Sequence, residues 1–331
     1  MSLSFFVQRQ CPLLSALALW LFAVSTSSGI LLYDTDNALA NTSAPTGIYA
    51  GSGWAYQGEY GGFLGTMIGE KYFITAQHFG LQGSTFVSTA TFNGSANVTY
   101  TIDSAANGGQ GYWDIAGTDF RILKINESFS SYAQLYTGSA EAGKTMVTFG
   151  RGGPRGAAVD LNGPVQGWYH TGSDGVSRWG ANTVDAAVPS GIGDLLVADF
   201  DAVSGQQEST LSSGDSGGGV FIQVSGQWFL AGINYGVEGY FDTNDTVGDF
   251  NEFDAALFNK SGYYMGDDSS GWQLQSNAPS SLYMSRISDS ATTINSIIAT
   301  PVPEPGSAVL LLMTALALFQ RSRFSVLAQQ K

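Results

Sequence analysis

Gly214-Asp215-Ser216-Gly217-Gly218 is the segment of this 331-residue chain that predicts its chemistry most directly. Upstream of it lie a histidine, in Thr75-Ala76-Gln77-His78, and an aspartate, in Thr118-Asp119-Phe120-Arg121. A serine hydroxyl is a weak nucleophile at neutral pH, and it is activated when an imidazole takes its proton and a carboxylate holds the tautomer of that imidazole. The three residue types therefore occur in the order His, Asp, Ser, each in a distinct local setting.

Chain order separates the protein classes that use this chemistry. The segment fits Gly-x-Ser-x-Gly, the nucleophile elbow of α/β-hydrolases, but that arrangement needs its histidine after the serine. The two histidines of the chain, His78 and His170, both precede Ser216. A subtilisin-like order needs an aspartate before His78; Asp34 and Asp36 are available, but neither lies at a strand end that leads into a helix.

Five segments are similar to segments of the chymotrypsin-like (trypsin-like) serine protease family. They match its Gly-Gly-Thr-Leu-Ile strand, its Thr-Ala-Ala-His strand, its Asp-Ile-Ala-Leu-Leu-Lys-Leu strand, its Gly-Asp-Ser-Gly-Gly loop and its Val-Gly-Ile-x-Ser-Trp-Gly strand, in that order. The segments are Gly62–Ile68, Phe73–His78, Asp119–Ile125, Gly214–Gly218 and Leu230–Gly236. The resemblance covers the chain from about residue 50 to about residue 265.

This resemblance implies an all-β fold of two packed antiparallel β-barrels, over residues 29–295, and a peptide-bond hydrolase. It implies that His78 is the general base and then the general acid, that Asp119 orients it, and that Ser216 is the nucleophile. The backbone N–H groups of Gly214 and Ser216 would form the oxyanion hole. The chemistry requires no metal and no organic cofactor.

Asp114, in Trp113-Asp114-Ile115-Ala116, competes with Asp119 for the orienting role. Its Asp-Ile-Ala start fits the family motif, but Gly117 and Thr118 then interrupt what should be a continuous strand. From Asp119 onward the alternation of apolar residues is regular and rich in β-formers. The pattern therefore favours Asp119.

The sequence departs from the family pattern at several positions. Phe79 stands where the family has a disulfide-bonded cysteine, and the one cysteine of the chain, Cys11, lies in the predicted leader. In the family, the counterpart of Asp215 pairs with a new N-terminus; the chain has no Arg-Ile-Val-Gly-Gly activation site, but a cut after Gly29 would give Ile30 such an amine.

The resemblance also places a substrate pocket. Thr210 would lie at the floor of the S1 pocket, Gly236 at its wall, and Asn234 where the family has a serine beside the orienting carboxylate. A neutral floor has no carboxylate to hold Arg or Lys, so we expect a medium or large apolar P1 residue.

Both ends of the chain resemble processing segments. Residues 1–28 contain an arginine, an apolar stretch and small residues, which is typical of a secretory signal peptide. Residues 296–331 contain Pro303-Glu304-Pro305, a short apolar stretch and two arginines, which resembles the PEP-CTERM sorting signal of Gram-negative bacteria. This resemblance implies recognition by an exosortase and a transient transmembrane helix rather than a permanent one; a GPI tail would end without cations.

Composition is consistent with an exported all-β protein. The chain has 43 glycines, 13% aromatic and 12% charged residues, and a formal net charge of −14. Short runs of β-formers alternate with Gly, Asn, Asp and Ser clusters, which predicts a sandwich or barrel. The acidic balance disfavours binding to nucleic acid or anionic lipid. Expected partners are a protein or peptide substrate, signal peptidase and an exosortase-type enzyme.

Two other features have simpler interpretations. The acidic stretch from Asp242 to Asp254 offers oxygen ligands for calcium, but its glycine is offset from the EF-hand position, so a solvated loop is favoured. His170 is expected to be a partly buried strand residue, and two histidines make a zinc site improbable. A catalytically inactive adhesin or matrix component with a protease fold is the alternative function, and a lectin-like β-domain is a third.

Overall fold

The computed structural model describes residues 29–161 and 163–299 of the chain. The predicted signal peptide, residues 1–28, and the predicted sorting motif, Pro303-Glu304-Pro305, lie outside the described residues together with the apolar stretch after the motif. Within the described ranges, no helix is long and apolar enough to cross a membrane.

The described residues form mostly β-strands, as their content of β-branched and aromatic residues predicts. Strands β1 to β11 are Leu31–Leu32, Gln57–Tyr60, Phe63–Gly69, Tyr72–Ala76, Thr85–Ser88, Val98–Thr101, Tyr112–Asp114, Phe120–Lys124, Thr145–Gly150, Ala158–Val159 and Gly167–Tyr169. Strands β12 to β22 are Arg178–Thr183, Ala186–Ser190, Gly193–Asp199, Ser209–Thr210, Gly219–Val224, Gln227–Val237, Phe241–Asp242, Ala255–Leu257, Tyr264–Asp267, Gly271–Leu274 and Ser281–Arg286. The α-helices are α1 (Ala90–Asn93), α2 (Ala106–Gly109) and α3 (Ile287–Ile298), and two 3-10 turns span Gly47–Tyr49 and Trp54–Tyr56.

The N-terminal sheet has seven antiparallel strands in the order β6-β5-β2-β3-β4-β8-β7. A backbone bridge between Ile102 and Ile125 joins the chain after β6 to the chain after β8, so the sheet curls back on itself. Successive strand residues point to opposite faces. In β4, Phe73 therefore packs in one buried cluster with Phe86, whereas Ile74 belongs to a different cluster that faces the second sheet.

The C-terminal sheet also has seven antiparallel strands, in the order β12-β9-β16-β17-β22-β14-β13. Its edge strands β12 and β13 are consecutive in the chain, which requires this sheet to curl as well. Met146, Ile222 and Met284, from three different strands, are fully buried in its core. The sheet therefore has a hydrophobic core of its own.

A third cluster joins the two sheets. Ile74 from the N-terminal sheet packs there with Phe149, Phe221 and Ile233 from the C-terminal sheet, and Ile294 of α3 covers the same cluster. Burying each such side chain contributes about 1.5–3 kcal/mol. The predicted all-β fold of two packed antiparallel barrels is confirmed. Each barrel has seven strands, and α3 continues to Ile298, past the domain end predicted at 295.

Residues 238–280, which we call the insert, lie between β17 and β22 and were not predicted as a unit. Strands β18, β20 and β21 form a small sheet within it, and β19 pairs with β11 in another. The long strand β17 ends at Val237, and the insert begins at the next residue. It is therefore anchored to the C-terminal barrel through both neighbouring strands, β17 and β22.

Two sequence expectations are settled here. Asp242 is fully buried in β18, so it does not belong to a solvated loop, whereas Asp245 is exposed. His170 follows β11 rather than lying within it; its Nδ1 is 2.9 Å from Oδ1 of Asp254, and its side chain is 3% exposed. Among the residues described, no group of three or more His, Cys, Asp or Glu side chains could hold a metal ion.

Candidate active site

Strand pairing in the N-terminal sheet brings His78 and Asp119 together. Strand β4 pairs with β8 so that Ala76 lies opposite Phe120, which leaves the next residues, at the two strand ends, side by side. The N–H of Gln77 donates to the carbonyl of Asp119 (2.7 Å), and the N–H of His78 donates to Asp119 Oδ1 (2.8 Å). The backbone therefore fixes the carboxylate relative to the imidazole.

The imidazole of His78 bridges the two barrels. Its Nδ1 lies 2.7 Å from Asp119 Oδ2, and its Nε2 lies 2.8 Å from Oγ of Ser216, on the loop before β16 of the C-terminal sheet. A carboxylate can only accept a hydrogen bond, so Nδ1 carries the proton and Nε2 is left as an acceptor for the serine O–H. The structure thus brings all three predicted side chains into one hydrogen-bonded chain.

The burial of these groups is graded. The side chain of Asp119 is 6% exposed, whereas that of His78 is 36% exposed. The rings of Phe79 and Tyr235 pack edge-on against the imidazole, with centroids 5.7 Å and 5.6 Å away. Phe79 also stacks on Phe63 at 4.1 Å, so apolar contacts occupy the place of the missing disulfide. The imidazole is thus held by rings on two sides, yet part of it stays exposed.

Asp114 has a different partner. Both its carboxylate oxygens accept hydrogen bonds from the guanidinium of Arg121, at 2.7 and 2.8 Å, and this pairing raises the pKa of Arg121. Asp114 lies opposite Arg121 in the β7–β8 register, one strand away from His78. Asp119, not Asp114, is the aspartate at Nδ1 of the imidazole.

The loop around Ser216 leaves two donors without acceptors. In the part of the chain that the structure describes, the N–H groups of Gly214 and Ser216 have no hydrogen-bond partner, whereas that of Gly217 donates to the carbonyl of Asn234 (3.1 Å). Gly214 has φ +103°, a region that favours glycine. A Cβ on Gly217, where φ is +80°, would lie 2.5 Å from the carbonyl oxygen of Leu64.

Asn234 has a different environment from the one predicted. Its amide nitrogen donates to the carbonyls of Phe149 (2.8 Å) and Asp215 (3.0 Å), and its oxygen accepts from Thr148 Oγ1 (2.8 Å). The side chain is fully buried and makes no bond to Asp119. Asn234 therefore holds the Gly214–Gly218 loop against β9, and its amide group points into the interior rather than toward Asp119.

The other predicted pocket residues differ in exposure. Thr210 is 2% exposed, in β15, where it pairs with Leu31. Gly236 faces open space, since a Cβ built there would have no atom within 4 Å. The sequence did not single out Tyr235, whose ring contacts His78; the signal available was its place next to Gly236, which the resemblance puts at the wall of the S1 pocket.

No protein-family model and no curated protein sequence matches the chain. It is similar to solved structures of neuropsin, a serine protease of mouse brain (13% identity, TM-score 0.41, 73% of this chain and 94% of that one), and a mutant of human heparin-binding protein (17%, 0.42, 73% and 88%). It is also similar to the passenger domain of a plasmid-encoded toxin of enteroaggregative Escherichia coli (12%, 0.41, 72% and 22%), of which it spans about a fifth.

Proposed function

We propose that the protein is an exported serine endopeptidase that cleaves peptide bonds through His78, Asp119 and Ser216. The observation that carries the proposal is the pair of contacts to one imidazole, 2.7 Å to a buried carboxylate and 2.8 Å to a serine hydroxyl. These contacts join residues from two barrels, 41 and 138 positions apart in the chain.

In this mechanism, Ser216 Oγ attacks the carbonyl carbon of the scissile bond while its proton passes to His78 Nε2. The N–H groups of Gly214 and Ser216 stabilise the negative oxygen of the tetrahedral intermediate; one such donor typically contributes 10²–10³-fold to kcat. The imidazolium then donates its proton to the leaving amine. Water repeats the sequence on the acyl-enzyme, which releases the acid product and restores the serine.

A labelling experiment tests the nucleophile, its base and the pocket together. We expect a peptidyl phosphonate diester with Phe or Leu at P1 to add covalently to the protein, faster than its Arg analogue, because Thr210 and Gly236 carry no charge. His78→Ala should abolish labelling, whereas the matched variant His170→Gln should retain it. Intact-mass spectrometry measures the adduct. Folded protein that stays unlabelled would favour the inactive adhesin, and preferential labelling by the Arg reagent would refute the apolar P1 preference.

The surroundings of Ile30 support a defined mature N-terminus. Its backbone N lies 3.2 and 3.3 Å from the two carboxylate oxygens of Asp215, which is 1% exposed and whose pKa is raised by burial. The N–H groups of Gly152 and Ser212 also donate to this carboxylate, both at 2.7 Å, but across residues 29–161 and 163–299 no basic side chain forms an ion pair with it. Ile30 also has φ +50°, which is costly for a β-branched residue and ceases to be a constraint once the bond to Gly29 is cut. We therefore infer removal of the leader after Gly29, with the new amine paired to Asp215.

Mass spectrometry of the exported protein should give a chain that begins at Ile30 and ends near Pro303-Glu304-Pro305, where an exosortase-type enzyme would cut. A recombinant chain that starts at Ile30 should be at least about tenfold more active than one that keeps Gly29, because the buried carboxylate of Asp215 otherwise has neutral hydrogen-bond donors around it but no cation. The difference should shrink as the pH rises above the pKa of the amine and should vanish in Asp215→Asn. An exported form that starts elsewhere contradicts this assignment.

A further inference from the structure

The insert is the most acidic part of the molecule. Its 43 residues carry eight Asp and Glu and one lysine, and therefore a formal net charge of −7. This is half of the formal net charge of the full chain, −14. That lysine, Lys260, is buried and bonded through Nζ to Glu238 Oε2 at 2.7 Å, so it does not neutralise the surface. An acidic segment of this kind attracts cations, but charge alone defines no site.

Residues of the insert line a cavity of about 430 Å³. Its apolar walls are the rings of Tyr240, which is 60% exposed, and Trp272. Gly266 lies between them, since its N–H donates to the carbonyl of Tyr240 (3.5 Å) and it is paired in register with Trp272. The indole is fixed because its Nε1–H donates to Asp268 Oδ1 (3.2 Å). We call this feature the insert cavity.

Three exposed carboxylates complete the lining of the insert cavity: Glu252, Asp267 and Asp268. Hydrogen bonds from Ser269 and Ser270 lower the pKa of Asp267 to about 2, so it is an anion at neutral pH. Among the residues that the structure describes, no Lys or Arg lines the cavity. Aromatic rings beside carboxylates are the surroundings that a guanidinium or ammonium group prefers, since it can lie over a ring and donate to the oxygens.

The chain connection limits how far the cavity can lie from the candidate active site. Tyr235, whose ring contacts His78, is only five residues before Tyr240 in the chain. Five residues of extended chain span at most about 17 Å, so the Cα atoms of Tyr235 and Tyr240 lie no farther apart than that. A substrate chain whose scissile bond lies at Ser216 could therefore also contact the insert cavity.

We propose that the insert cavity binds a Lys or Arg side chain of the substrate, about four to six residues from the scissile bond, as a specificity site separate from the S1 pocket. The identity of the peptide as a substrate rests on the proposed function, whereas binding of a cationic peptide does not. The site would select an extended segment that combines an apolar P1 residue with a distant basic residue.

Binding can be measured without turnover. Fluorescein-labelled decapeptides, identical except for one Lys, Arg or norleucine five residues from a Leu at P1, are titrated into the Ser216→Ala protein and followed by anisotropy. We expect the cationic peptides to bind about tenfold more tightly than the norleucine peptide at low salt, and this advantage to shrink at 300 mM salt because exposed charges are screened.

Charge-matched variants locate the binding site. Glu252→Gln with Asp267→Asn removes two charges from the cavity but keeps the hydrogen-bond acceptors, and should lower cationic-peptide affinity about five- to tenfold. Asp36→Asn with Asp245→Asn removes two exposed charges elsewhere and should change it less than twofold. Tyr240→Ala should weaken binding about two- to fivefold, with rescue by Tyr240→Phe.

Each outcome decides the proposal. Equal affinity for lysine and norleucine peptides, or equal losses in the cavity variant and its control, overturns it. Cationic binding at the cavity by a protein that no phosphonate labels would keep the site and refute the proposed function. In an active enzyme, the cavity variant should raise KM for the lysine peptide and leave kcat unchanged, because the interaction is equal in the ground and transition states; a loss confined to kcat would contradict the proposal.

Discussion

Replacement of Ser216 by alanine is expected to lower kcat for a peptide with an apolar P1 residue by about 10⁶-fold, to a rate that the oxyanion donors and binding alone can sustain. The substitution removes the one oxygen that lies 2.8 Å from His78 Nε2 and leaves no atom to form an acyl-enzyme. Ser216 is half-exposed and its side chain fills no buried space, so the free energy of unfolding should change by less than about 0.5 kcal/mol.

Ser213→Ala is the matched control for Ser216→Ala. Ser213 lies on the same loop, three residues earlier, and is exposed, so its loss tests whether any serine of the loop suffices. We expect Ser213→Ala to keep at least half of the activity, as measured by hydrolysis of a quenched fluorescent peptide. Denaturation curves for both variants verify the fold. Equal activity of Ser216→Ala and wild type would show that hydrolysis, if present, takes place at another site.

The sequence predicted the parts of this molecule that depend on local pattern. Strand β8 was expected from its alternation and its β-formers, and β4 from the resemblance of Phe73–His78 to a family strand. Strand β4 ends two residues before His78, and β8 begins directly after Asp119. The preference for Asp119 over Asp114 rested on where the regular alternation begins. The pairing of β8 with its two neighbours accounts for this preference. Asp119 is the residue just before β8, whereas Asp114, on β7, lies opposite Arg121.

Other features depend on contacts between distant residues and left no local pattern. Strand β18 pairs with β20, so that Asp242 lies opposite Tyr264, a residue beyond the acidic stretch, and nothing within that stretch could reveal that Asp242 would be buried. Asn234 was expected near Asp119 on the basis of motif alignment alone. The bulge in β17 between Asn234 and Gly236 changes which way the following residues point, so that Tyr235 faces the imidazole.

The Asp119→Asn variant should lower kcat by about 10⁴-fold with the geometry of the site intact. The asparagine amide can donate to Nδ1, which favours the tautomer with the proton on Nε2, and that tautomer cannot accept the proton of Ser216. The amide also lacks the charge that stabilises the imidazolium formed during the reaction. Because the side chain at position 119 is only 6% exposed, water cannot stabilise the imidazolium there in place of the carboxylate.

Asp114→Asn serves as the control for Asp119→Asn, because it removes the same charge from an aspartate five residues earlier in the chain. It weakens the bidentate pair with Arg121, which is largely buried, so some stability should be lost, about 1–2 kcal/mol, while kcat stays within about threefold of wild type. Stopped-time assays over several pH values compare the two variants. If Asp114→Asn caused the larger loss of kcat, with both variants folded, the orienting role would belong to the ion pair on β7 and the triad proposed here would be wrong.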